Sequence, residues 1–145
     1  MSSYTERFSE VHEFLAAIAP ASYSTEQNTG YVSLANFHRA VVIAHAGVLG
    51  QNVDFDFEQG TSTAGAGAAT FDAGGKDFLW AATTDNNVVR VIEIRNEEFN
   101  IAGGYDCLNV EATPAGASSI FGVQIWGIVP RFAPVSTASL ETVTD

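Results

Sequence analysis

Basic residues are scarce in this chain. Lys76 is its only lysine and there are five arginines, against seventeen acidic residues, for a formal net charge of −11 over 145 residues. The arginines (Arg7, Arg39, Arg90, Arg95 and Arg131) are scattered along the sequence instead of clustered. A phosphate backbone is bound by a basic patch that releases counterions. No such patch is apparent here, so no direct nucleic-acid partner is expected, and an anionic membrane surface would repel the chain for the same reason. Cysteine is almost absent too. Cys107 stands alone, which excludes an intrachain disulfide and a thiolate-based zinc site, and it reads as a small buried residue in a strand. Long hydrophobic runs are missing: the longest apolar stretch is about half a membrane span. Glu6, Glu10 and Glu13 interrupt the first residues, unlike a secretory signal. A soluble protein made in a cytoplasm, with no membrane partner, is the expectation.

What is present suits a single folded domain. Apolar residues make up 46% of the chain and charged ones 16%, the reverse of a disordered composition, and this length supports a core without staples. Near the N-terminus Phe8, Val11, Phe14, Leu15 and Ile18 recur at spacings of three and four, the mark of a helix face. Ser3 and Glu6 could cap that helix and Pro20 could stop it; an extended arm ordered only against a neighbour is the other reading.

Beyond the turn at Ser24 to Gly30 the pattern is that of strands. Val53, Phe55 and Phe57 alternate with Asp54, Asp56 and Glu58, giving one buried face and one acidic, wet face. Val88 to Arg95 is β-branched, and Leu108 and Val110 alternate with Asn109 and Glu111. Ile120 to Val129 is apolar on both faces, as in a central strand covered by two layers. Gly- and Asn-rich turns separate these segments. The pattern predicts an all-β fold: an antiparallel sandwich, a jelly roll or a small barrel. The expected division is an N-terminal arm over 1–22, a β domain over 23–133 and a Ser/Thr-rich C-terminal tail over 134–145.

The residues give little support for chemistry. His38 and His45 are seven apart, which on one strand points them to opposite faces, and His12 lies in the arm. No metal-ligand spacing occurs. The run Gly60-Thr-Ser-Thr-Ala-Gly-Ala-Gly-Ala-Ala-Thr70 lacks the third glycine of a dinucleotide loop, and Gly74-Gly75-Lys76 is followed by Asp77 where a phosphate loop needs Ser or Thr. Asp54, Asp56 and Glu58 form a flat row, not the tight loop that calcium requires. Glu97 and Glu98 have no evident partner. No serine sits in a nucleophile elbow. Neither an enzyme, a metal nor a cofactor is expected. Among the aromatics, Trp126 is expected in the core. Trp80 is expected there too, with exposure as the alternative.

The order of segments resembles a family of small virion structural proteins of tailed phages and prophages. It is carried by Tyr31-Val-Ser-Leu-Ala-Asn-Phe-His-Arg-Ala40, by Val53-Asp-Phe-Asp-Phe-Glu-Gln-Gly-Thr-Ser62 with the Ala-Gly run of 64–69, by Val91-Ile-Glu-Ile-Arg-Asn-Glu-Glu-Phe99, by Gly103-Gly-Tyr-Asp-Cys-Leu-Asn-Val110 and by Ile128-Val-Pro-Arg-Phe132. Many relatives carry a longer insertion where only Phe71 to Asn87 stands here. The resemblance implies a capsid cement or decoration protein on the outer surface of the head, made in the host bacterial cytoplasm. Its partners would be the major capsid protein and further copies of itself, a trimer being one form, with Phe8, Val11, Phe14, Leu15 and Ile18 as the contact stripe. A carbohydrate-binding jelly roll using Trp80 and Tyr23, or a tail or neck subunit, are the other readings.

Overall fold

The computed structural model describes residues 6–71, 75–132 and 135. A helical turn, α1 (Phe8–Val11), precedes ten strands: β1 (Glu13–Tyr23), β2 (Gln27–Asn28), β3 (Val32–Ser33), β4 (Phe37–Leu49), β5 (Val53–Gly60), β6 (Ala69–Thr70), β7 (Phe78–Trp80), β8 (Val89–Arg95), β9 (Cys107–Pro114) and β10 (Ser119–Pro130). They form two antiparallel sheets, one ordered β1-β10-β4-β8 and the other β2-β9-β5-β6, with β3 also on β9 and β7 also on β5. Counting β2 with β3 and β6 with β7 leaves eight positions, in the orders 1-8-3-6 and 2-7-4-5. That interleaving is a jelly roll, which selects one of the three β architectures open from the sequence.

The core lies between the sheets. Val53, Phe55 and Phe57 of β5 point inward and are fully buried, as their alternation predicts. Phe55 stacks on Phe78 at 4.4 Å and meets Trp80 edge-on at 4.7 Å. Trp80 is fully buried, and its Nε1–H finds no acceptor among the described residues, an unmet donor that costs about 1–3 kcal/mol. Cys107 is buried at the start of β9, as expected. Burial, then the neighbouring Asp106, pushes its thiol up to about 11. The native thiol is therefore expected to resist a thiol reagent at neutral pH and to react only once the chain is unfolded.

The buried hydroxyl of Ser119 accepts from the backbone N–H groups of Gly50 (3.1 Å) and Gln51 (3.4 Å), tying the start of β10 to the β4–β5 turn. Ser119→Ala strands both donors. It is expected to cost about 1–3 kcal/mol in a denaturant titration.

The N-terminal segment departs from the helix expectation. Only α1 is helical, and residues 13–23 form an edge strand paired with β10 from Glu13↔Gly127 to Tyr23↔Ser119. Register shifts fall between Phe14 and Ala16 and between Ile18 and Ala21. The first bulge inserts a residue into the two-residue alternation, so Leu15 and Ile18, both turned to the core, stand three apart without a helix. Pro20 sits in the second bulge of this edge strand, where a missing N–H is tolerated. Gly122 of β10 makes room for it: a Cβ there would lie 3.0 Å from Pro20 Cα. The tail expected over 134–145 lies outside the described residues except for Val135, whose N–H donates to Glu10 O at 3.1 Å.

β10 is central, as expected, but not covered on both sides. Its inward Phe121, Val123 and Ile125 are buried, whereas outward Ile120, Gln124, Trp126 and Ile128 are exposed or half-buried. Trp126 is therefore not a core residue. Among the described residues, α1 lies over this face, with Phe8 against Trp126.

Candidate functional site

The two outer faces differ sharply in chemistry. On the four-stranded sheet, register aligns outward side chains from strand to strand. One row runs Phe14, Trp126, Val41 and Glu93; the next runs Ala17, Gln124, Ile43 and Val91; a third joins Gly122, His45 and Val89. Val89 and Val91 are 58% and 59% exposed. Phe8 extends this surface, meeting Trp126 edge-on at 5.2 Å and stacking on His12 at 4.3 Å. Phe14 meets the same indole edge-on at 5.5 Å. A hollow of about 410 Å³ opens among Phe14, Ala17, Pro20, His45, Gly122 and Gln124. This face is mostly apolar, with Glu93 at its margin and a basic row at one end, where Ile128, Arg39 and Arg95 align.

Of the five stripe residues, Phe8 and Phe14 belong to this surface. Ile18 is buried in the core and Leu15 packs against that core. Val11 ends α1, half-buried. The five do not share one face, because strand alternation divides them.

The six-stranded sheet turns carboxylates outward. Asp54, Asp56 and Glu58 of β5 project there as predicted, beside Thr113, Glu111 and Asn109 of β9. Asp56 and Glu111 are held above the usual carboxylate range, first by burial and then by neighbouring carboxylates. Glu58 accepts from the Tyr31 hydroxyl at 2.7 Å and from Asn109 Nδ2 at 3.0 Å. The Tyr31 ring also fills the space beside Gly60 and Gly65, so the Gly-rich run wraps an aromatic side chain.

Burial, then the bond to Glu58, pushes the Tyr31 hydroxyl from 10.0 to about 12. Between those values the folded chain keeps a proton that the unfolded chain has lost, so stability falls as pH rises across that window. In an alkaline absorbance titration Tyr31 is expected to ionise late, and Tyr31→Phe to remove that step.

Other side chains fall where the sequence did not place them. Glu97 pairs with Arg95 at 3.2 Å and Glu98 with Lys76 at 3.3 Å, so both acids have partners. The arginines are not all dispersed: Arg39, Arg95 and Arg131 line one cleft with His38. Antiparallel pairing of β4 with β8, and of β4 with β10, brings together residues that are far apart in sequence. His12, His38 and His45 do not converge, and no group of His, Cys, Asp or Glu suited to a metal ion occurs among the described residues. No helix among them is long and apolar enough to cross a membrane.

The structure therefore defines a jelly-roll domain with one apolar and one acidic outer face. No protein-family model and no curated protein sequence matches the chain. Among solved structures it is similar to one from the naturally occurring empty particles of cowpea mosaic virus (10% identity, 94% of this chain and 95% of that chain, TM-score 0.44). It is also similar to one of Desmodium yellow mottle tymovirus (12% identity, 83% and 86%, TM-score 0.40) and to the coat protein of tobacco streak virus (11% identity, 97% and 100%, TM-score 0.38). Likeness at this level is one of general architecture and says nothing of what this chain binds.

Proposed function

We propose that the chain is a virion structural protein: a cement or decoration subunit that docks on the major capsid protein shell of a tailed phage. Copies sit on the outer surface of the head, grouped at its symmetry axes, as trimers where the axis is three-fold. The observation that supports this reading is the apolar outer face of the four-stranded sheet, continuous across four strands and onto Phe8. Soluble monomers rarely leave so broad an apolar surface uncovered. A preformed, rigid sheet face also loses little conformational freedom on binding. Phe8 and Phe14 remain in the contact; Leu15 and Ile18 act from within by holding β1 in place. The glycan reading loses support, because Trp80 is buried and Tyr23 lies against Phe121 at 5.1 Å with its hydroxyl donating to Ala19 O.

The test is co-sedimentation of the purified protein with empty, expanded heads of the virus that encodes it. Saturation at a fixed copy number per hexamer or per three-fold position is expected. A folded protein that stays in the supernatant at every ratio would exclude the cement role.

A further inference from the structure

Two cross-strand pairs in this sandwich join residues of like charge, one pair of each sign. Arg39 of β4 stands directly opposite Arg95 of β8, and Asp56 of β5 directly opposite Glu111 of β9. Side chains so paired have Cβ atoms about 4.5–5.5 Å apart, and like charges there are destabilising. An isolated domain gains nothing from either arrangement.

The cationic pair has company. Arg131, just beyond β10, and His38 share with Arg39 and Arg95 an open cleft of about 410 Å³ that also exposes Ile101. One carboxylate in the cleft, Glu97, pairs with Arg95. Among the described residues Arg39 and Arg131 form no ion pair. Half of the chain's six basic residues thus meet in one place on a molecule of net charge −11.

We propose that this arginine cleft is the docking site for a second copy of the chain, which enters with the acidic face of its six-stranded sheet, Asp56 and Glu111 at the centre and Asp54 and Glu58 beside them. Charge complementarity identifies the occupant. Outward residues two apart on a strand are about 6.6 Å apart, so the acidic row presents carboxylates in series to a set of guanidinium forks, which bind carboxylates in bidentate fashion. Burial and then neighbouring carboxylates already hold Asp56 and Glu111 above their usual range, and cations from a neighbour would relieve that repulsion. The cleft and the acidic face lie on different sheets, so the contact is head-to-tail: one copy's cleft meets the next copy's acidic face, and the series closes into a ring or continues. None of this rests on docking to a shell.

The test is sedimentation velocity of the purified full chain without shells. The wild type is expected to self-associate. Arg39→Glu/Arg131→Glu and Asp56→Arg/Glu111→Arg are each expected to weaken association at least about tenfold. The first puts a carboxylate opposite Arg95 and is expected to melt at or above wild type; the second keeps a like-charged pair, now set among the carboxylates of Asp54, Asp77, Glu26 and Glu58, and is expected to melt close to wild type. Mixed in equal amounts, the two variants are expected to associate again, since reversed cleft then meets reversed face. Both stay net negative, so bulk attraction cannot produce that rescue. A wild type that stays monomeric, a variant that associates as the wild type does, or a mixture that fails to recover would each overturn the proposal. Should either variant fail to fold, Arg39→Gln/Arg131→Gln and Asp56→Asn/Glu111→Gln take their places, with the same weakening expected. Uptake of inorganic phosphate by a monomeric wild type would count against it as well.

Discussion

Phe55→Ala is expected to lower the unfolding free energy by about 3–5 kcal/mol, a large share of the roughly 5–15 kcal/mol that holds a domain of this kind together. The ring is fully buried and lies at the centre of an aromatic group, stacked on Phe78 and edge-on to Trp80 and Phe121. Truncation leaves a cavity bounded by three other rings, two on β7 and one on β10, that cannot collapse together. Each kcal/mol moves the midpoint by about 2–4 °C at this size, so calorimetry should show a drop of roughly 6–20 °C. Leu79→Ala is the internal control: Leu79 is 52% exposed on the neighbouring strand and should change stability by less than about 0.5 kcal/mol. Equal effects from the two would mean that β5 does not face the core.

The second large effect concerns docking. Val89→Asp/Val91→Asp is expected to weaken binding to empty heads by roughly 30-fold or more, the scale of an interface hot spot of about 2 kcal/mol. Both valines are more than half exposed on the edge strand β8, on the same face as Ile43 and His45. The double variant places two carboxylates in the apolar rows, where docking would strip them of water. Its melting temperature should stay within about 2 °C of wild type, because neither side chain contributes to the core. Retained binding at normal stoichiometry would exclude this face as the docking surface and leave the opposite sheet as the candidate.

Where one periodicity governs a segment, the sequence was readable. β5 shows strict alternation, and both its buried phenylalanines and its outward acids lie where that alternation puts them. Residues 8–18 misled because Phe8 and Val11 lie on a single helical turn while a bulge between Phe14 and Ala16 breaks the alternation of β1, and the combined spacings imitate a longer helix. Trp126 misled for another reason. An apolar run on both faces of a strand signals burial on both sides only if something covers the second face, and among the described residues no second sheet lies over the outer face of β10. The arginine cleft was invisible for a third: Arg39, Arg95 and Arg131 meet through pairings of strands distant in sequence, which no local window contains. Trp80 was ambiguous because β7 is three residues long, too short to show a period.

The position of β10 has a consequence for how the molecule is made. Among the described residues, this last strand is the only partner of β1 in its sheet and the inner neighbour of β4. At about 5–20 residues per second, the ribosome completes β1 roughly 5–20 s before β10 emerges. Until then the four-stranded sheet has no centre, and its apolar strands stand without their pairing partner. The six-stranded sheet can form as soon as β9 is out. All strands of the acidic half of the sandwich are thus available for pairing before the apolar half receives its final strand.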